Sequence, residues 1–171
     1  MGHRNGTTAD PPEGFVDFAV ERASPLHKVA YLLCGDWHLA HDLVQETLVK
    51  AYRYWPRVRQ ADSPDAYVRR ILVNEVRRRR RHERAESVAR FTVTPAVPDM
   101  ADDIARRDRV LRALLDLPLQ QRATVVLRYL EGMSQAETAA LLGCSEGTVK
   151  SQSSRALARL RKHLVLTEAG I

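Results

Sequence analysis

Between Glu146 and Lys162, five cations (Lys150, Arg155, Arg159, Arg161 and Lys162) stand against the single acid Glu146, with Thr148, Ser151, Gln152 and Ser154 among them. A guanidinium can bridge guanine O6 and N7, and a carboxamide can pair with adenine. Ammonium groups and hydroxyls add contacts to bases or phosphate. This chemistry suits duplex DNA. Glu146, Thr148, Lys150, Ser151, Gln152, Ser154 and Arg155 lie early enough in the segment to reach base edges, while Arg159 and the cations beyond it suit phosphate. A second set, Tyr67, Arg69, Arg70, Asn74 and Arg77, leads into five consecutive arginines at 77–81. An aromatic ring, cations and an amide at that spacing suit single-stranded bases, where stacking contributes about 1–3 kcal/mol per base.

Catalytic chemistry has no comparable set. There is no glycine-rich phosphate loop, no HExxH and no GxSxG, so no catalytic residue and no cofactor is expected. His38 and His41 stand three apart beside Asp42, which is metal-ligand spacing, but no third histidine or cysteine is near. They read as two helix histidines, and no metal is expected. Cys34 and Cys144 are isolated, which argues against a disulfide or a structural zinc, and Cys144 reads as a small buried apolar residue.

The elements that must hold these residues are helical. Hydrophobic residues make up 44% of the 171, and they recur at helical rather than alternating spacing. A helix is expected from just after Pro12 to Leu33, kinked or interrupted at Pro25, with Gly35 as terminator and Asp36 capping the next. That next helix, Trp37 to Trp55, carries the stripe Leu39, Ala40, Leu43, Val44, Thr47, Leu48, Ala51, Tyr52 and Trp55. Asp42, Gln45, Glu46, Val49, Lys50 and Arg53 line its other side, and Pro56 ends it. After a loop at 57–64, Ser63-Pro64-Asp65 opens a helix that runs from Ala66 into the arginines.

Residues 84–104 change character: Pro95, Pro98 and four acids (Glu86, Asp99, Asp102, Asp103) occur there. They read as a linker whose roughly 20 residues could span on the order of 60 Å. A helix from about Asp103 to Leu117 follows, then one from Pro118 to Leu130. Ser134 with Glu137 forms a capping box, and Cys144-Ser145-Glu146 supplies another N-cap. Ala139 and Gly143 sit where two helices approach, and Val149 packs back, which is the spacing of a helix-turn-helix.

The chain is therefore expected to be all-α, with two small helical domains joined by a flexible acidic linker, the second containing the helix-turn-helix. The divisions are 1–12 (disordered), 13–83, 84–104 (linker) and 105–166. A net charge of +6 favours nucleic acid over a membrane surface. No apolar run approaches the roughly 18 residues of a membrane span and no signal peptide is apparent, so a cytoplasmic location is expected.

With both domains laid out, the chain resembles the extracytoplasmic-function (ECF) sigma factors of bacterial RNA polymerase, and is similar to their actinobacterial sigma-E-like group. The resemblance is carried by AYLLCGDWHLAHDLVQETLVKAYRYW (30–55), AYVRRILVNEVRRRRR (66–81), LPLQQRATVVLRYLEGMSQAETAALLG (117–143) and GTVKSQSSRALARLRKHL (147–164). It implies that Asp42, Gln45 and Glu46 dock on the clamp helices of the polymerase's largest subunit. It also implies that Arg57, Ser63, Tyr67, Arg70, Asn74 and Arg77 read a melted minus-ten element. Thr148, Lys150, Ser151, Gln152, Ser154, Arg155 and Arg159 would then read the minus-thirty-five element as duplex, and the linker would thread toward the active-site cleft. The expected function is promoter selection for core polymerase and assistance in melting, with no enzymatic activity and with an anti-sigma factor as a possible partner. Two alternatives are a stand-alone helix-turn-helix regulator, which would bind duplex tightly without polymerase, and a helical interaction protein, which would leave Lys150 and Arg155 without a role.

Overall fold

A computed structural model of the chain describes the backbone of residues 11–85 and 101–168 and the side chains of 11–82 and 107–163. Among the described residues there are eight α-helices and no strand: α1 Phe15–Cys34, α2 Trp37–Arg53, α3 Trp55–Arg59, α4 Pro64–Ala85, α5 Ala101–Leu115, α6 Leu119–Val125, α7 Gln135–Leu142 and α8 Glu146–Glu168. The expected disordered segment falls almost wholly outside the described residues, as does most of the expected linker.

The end of each helix follows from local chemistry. Gly35 takes φ +78° after α1, and its N–H returns to the Tyr31 carbonyl. The Asp36 carboxylate then accepts from the Leu39 N–H at 2.8 Å and starts α2. Ser63 Oγ accepts from the Ala66 N–H at 3.2 Å as α4 begins. α7 opens with the full capping box: Ser134 Oγ accepts from Glu137 N–H, and Glu137 Oε2 accepts from Ser134 N–H. Ser145 caps α8 through the Thr148 N–H.

Several expectations need correction. α1 continues through Pro25 rather than being interrupted there; the residue is exposed, so water can meet the carbonyl that its missing N–H leaves free. α2 stops at Arg53, not Trp55; Tyr54 leaves helical geometry, and Pro56 sits in the first turn of α3, where its absent N–H is not needed. Arg57 is therefore on a helix, not in a loop. Tyr52 is exposed rather than part of the buried stripe. The helix after Pro118 does not stay α-helical to Leu130 but widens into a π turn at Val126–Leu130, where Glu131 N–H reaches back to the Val126 carbonyl. Gly143 is not a point of close approach: a Cβ there would meet nothing within 4 Å. What requires glycine is its φ of +67° at the end of α7.

The first half builds its core from α1, α2 and α4, with Leu26, Val29, Leu33, Ala40, Leu43, Ala51, Val68, Leu72 and Val76 at its centre. Phe15 packs edge-on against Trp55, Phe18 packs against the same indole, and that indole donates to the Glu13 carbonyl at 2.9 Å. In the second half, α8 lies across α5, α6 and α7, burying Leu114, Leu117, Val125, Val149 and Ala156.

The two halves also pack against each other. Ala123, Val126, Leu127, Leu141 and Leu142 of the second half belong to the same buried cluster as Leu33, Cys34, Val73 and Val76 of the first. Leu115 lies over Gly35 so closely that a Cβ there would stand 2.5 Å from its Cδ1. Arg122, only 2% exposed, donates to the carbonyl of Leu33 across the seam and to those of Leu115 and Leu117 in its own half. Its guanidinium serves as a shared cap for the ends of α1 and α5.

Candidate nucleic-acid and polymerase-docking surfaces

α8 presents its basic side chains on the surface away from the second-half core. Lys150, Ser154, Arg155 and Arg159 are exposed, while Thr148, Ser151 and Gln152 are half-buried. Two of the hydroxyls are already engaged: Thr148 Oγ1 pairs with Ser145 Oγ at 2.9 Å, and Ser151 Oγ donates to the Thr148 carbonyl at 3.0 Å. At 3.6 residues per turn, Thr148, Ser151, Gln152, Arg155 and Arg159 share one flank, whereas Lys150 and Ser154 fall on the other. The seven residues are thus brought onto one helix but not onto one line. Ser153 between them is buried, 7% exposed, and faces the core beside Val149 and Ala156.

α4 positions the second set. Ser63, Tyr67, Arg70, Asn74 and Arg77 fall along one side of the helix by its periodicity. Ser63, Arg70 and Asn74 are exposed, while Tyr67 is half-buried against the core. Arg77 is held: Nη2 donates to Gln120 Oε1 at 2.8 Å, and both Nη atoms approach the Leu142 carbonyl at 3.3 Å. Burial, and then the neighbouring Arg81, pull its guanidinium below the usual arginine value. Arg57 stands apart from the set on α3, its guanidinium 5.9 Å from the Tyr54 ring centre.

α2 positions the third set. Asp42, Gln45 and Glu46 are all exposed and line a groove of about 470 Å³ together with Val49, Arg53 and Arg79. Glu46 pairs with Arg78 at 2.8 Å. Beneath the groove Glu75, 5% exposed, receives hydrogen bonds from Lys50 and Arg78. Burial alone would raise the Glu75 carboxyl, but the two cations outweigh it and hold it below the usual carboxylate value.

The two histidines of α2 do not face a common partner. His38 points to solvent; His41 lies 6.3 Å ring to ring from His27, whose nearer neighbour is Trp37 at 4.0 Å. Among the described residues no three side chains cluster as metal ligands. Cys34 is buried with its thiol toward the Asp36 carbonyl at 3.2 Å, and burial pushes that thiol up to about 11, so it stays protonated. Cys144 is half-buried rather than buried.

Sequence reading set Val49 on the polar side of α2, and the structure leaves it 60% exposed among the charged residues of the groove. It missed the role of Arg122. Arg122 lies between Leu119 and Val126 on the apolar side of its helix, and a cation at such a position signals that carbonyls must converge there.

Comparison with known proteins converges on one family. Residues 19–86 match the profile described as Sigma-70 region 2, and residues 107–160 match Sigma-70, region 4. An RNA polymerase sigma-E factor of Streptomyces avermitilis is 39% identical over 155 residues, covering 88% of this chain and 84% of that protein. The ECF RNA polymerase sigma factor SigM of Mycobacterium tuberculosis is 35% identical over 146 residues, covering 85% and 74% respectively. Among solved structures, the sigma factor RpoE from Bartonella quintana, in complex with the anti-sigma factor NepR, superposes with a TM-score of 0.72 at 30% identity. That match covers 88% of this chain and 98% of that one.

Proposed function

Since this chain belongs to the ECF sigma factors of the sigma-70 family, we propose that its three surfaces divide the work of promoter recognition between its two halves. The protein is a transcription initiation factor, not an enzyme: it binds core RNA polymerase and gives it promoter specificity. Asp42, Gln45 and Glu46, around the exposed Val49, dock on the polymerase clamp. The exposed side of α4 with Tyr67, Arg70, Asn74 and Arg77, together with Arg57 and Ser63, takes the melted minus-ten strand. The basic side of α8 holds the minus-thirty-five duplex. A second chain of the anti-sigma class is a proposed partner. No described helix is long and apolar enough to cross a membrane, and we place the protein in the cytoplasm with the polymerase.

The observation that carries this reading is the pairing of an exposed α2 groove, where Asp42, Gln45 and Glu46 stand among Lys50, Arg53, Arg78 and Arg79, with two separate basic surfaces on α4 and α8. A stand-alone regulator would need only the last of these. Joining two DNA-reading halves in one chain raises the effective concentration of the second once the first is held. The test is binding to a promoter library with and without core polymerase. Specific retention is expected only with core present; tight binding to a palindrome without it would favour the stand-alone regulator. Asp42→Arg combined with Glu46→Arg, with folding checked by circular dichroism, is expected to abolish co-purification with core. Retained co-purification would remove α2 from the docking surface.

A further inference from the structure

A pocket of about 660 Å³ opens between the arginine run of α4 and the turn that joins α5 to α6. Its charged lining is Arg77, Arg80 and Arg81 of α4, Arg122 of α6 and one acid, Asp116, whose carboxylate meets His163 of α8. The three α4 cations stand at i, i+3 and i+4, so helical periodicity turns them to one side. Elsewhere between the two halves a cation meets a carboxylate: Arg69 pairs with Glu131 at 3.0 Å. Here Arg77 and Arg122 give their hydrogen bonds to neutral oxygens, those of the Gln120 carboxamide and of main-chain carbonyls. The Nε of Arg122 is buried and meets no acceptor. Like charges also crowd one another. Burial and then Arg80 depress the Arg122 guanidinium, and burial and then Arg81 depress that of Arg77.

Four guanidiniums around one engaged carboxylate leave the pocket positive, and its volume lies within the roughly 300–1,000 Å³ of small-molecule sites. Guanidiniums take phosphoryl oxygens in bidentate pairs. A single orthophosphate is too small to reach cations supplied by both α4 and α6. A nucleic-acid strand spreads its charge at one phosphate per nucleotide, whereas linked phosphoryl groups concentrate several charges in one place. We propose that this pocket binds a small ligand bearing two or three linked phosphoryl groups, held by Arg77, Arg80 and Arg81, with the buried Arg122 supplying a fourth positive charge. Leu115, Pro118 and Leu119 add apolar lining on which a nucleobase could lie, so the phosphoryl chain can come from a nucleotide or from inorganic polyphosphate. The site goes beyond the promoter-reading surfaces and shares only Arg77 with them. Since its cations come from both halves, the bound ligand stabilises the fold by mass action.

The test is calorimetric titration and thermal unfolding of the full chain in magnesium-free buffer at about 0.15 M salt, where exposed charges are screened. The probes are inorganic triphosphate, adenosine triphosphate, orthophosphate and a short single-stranded thymidine oligonucleotide. Both triphosphates are expected to bind and to raise the unfolding midpoint. Arg81 is exposed, so its replacement leaves the core intact. Arg81→Glu is expected to weaken triphosphate binding by about tenfold or more, and the milder Arg81→Gln by about threefold. Arg109→Glu removes an exposed arginine of α5 outside the pocket, with the same change in net charge, and is expected to keep binding within about twofold. Tighter binding of adenosine triphosphate would assign the site to nucleotides; equal or tighter binding of inorganic triphosphate would assign it to the phosphoryl chain alone. The proposal is overturned if millimolar inorganic triphosphate neither binds nor raises the midpoint, or if Arg81→Glu and Arg109→Glu lose affinity equally. Orthophosphate or the oligonucleotide binding as tightly as triphosphate would also overturn it. Neither polymerase nor promoter enters these readings, so they stand or fall separately from the proposed function.

Discussion

Glu75 shows how one side chain ties the docking groove to the DNA-reading helix. Its carboxylate sits under Lys50 of α2 and beside Arg78 of α4, and Arg78 in turn holds Glu46. Its charge is favoured in the fold, so the stability it contributes is present above the ordinary glutamate range, near pH 4.3. That contribution is lost as the pH falls through its lowered folded value. Glu75→Gln is expected to cost about 1 kcal/mol at pH 7, the cations being partly exposed. The gap between the two proteins should narrow in urea titrations as the pH falls below the ordinary glutamate value and close as it passes the lowered folded one; a pH-independent gap would mean the loss is one of packing. The types of the surface residues were legible from sequence, because helical periodicity alone separates Asp42, Gln45 and Glu46 from the buried stripe. Their partners were not: Glu75 carries no sign in its spacing that it meets Lys50, 25 residues away.

At the scale of elements, the helix starts were the most readable feature. Asp36, Ser63, Ser134 with Glu137, and Ser145 all cap as their types suggest, because a cap is decided within three or four residues. Prolines were less informative, since the same residue ends one helix or opens the next depending on which N–H is missing. Pro56 opens α3. Gly143 was noticed for the wrong reason: its surroundings are empty and its positive φ is the whole requirement. Gly143→Ala is accordingly expected to destabilise by about 1–2 kcal/mol, from backbone strain alone. Gly143→Asn should recover part of that in thermal unfolding, because asparagine tolerates this region. Equal losses for the two would point to a steric cause.

For the whole molecule, the composition and charge runs indicated two helical blocks, but nothing in the sequence indicated that they would pack together. The polar pairs across the seam link residues 43 to 89 positions apart, and such pairs leave no periodic signature. Arg122 is the exception that could have been suspected, being a cation on an apolar stripe. Burial and the nearby Arg80 draw it down to about 10, so it is charged at neutral pH, and that burial cost is relieved only above about pH 10. Arg122→Met would leave three carbonyls, two of them buried, without their donor and is expected to lower stability by about 3 kcal/mol in chemical denaturation. A change under about 0.5 kcal/mol, the range of ordinary surface substitutions, would show that water replaces the guanidinium without loss.

The π turn at Val126–Leu130 has a consequence for chain length. A π turn holds one residue more than the α-helical path it replaces. Arg128 closes it by donating to the Met133 carbonyl, and Glu131 emerges from it aimed at Arg69. Deleting Tyr129, a half-exposed residue whose ring lies 5.8 Å from the Arg128 guanidinium, would restore α-helical winding and swing Glu131 by about 100° around the axis. Relatives shorter by one residue at this point would then carry the same helices without the ion pair, so a single codon in or out decides whether that polar link between the two halves exists.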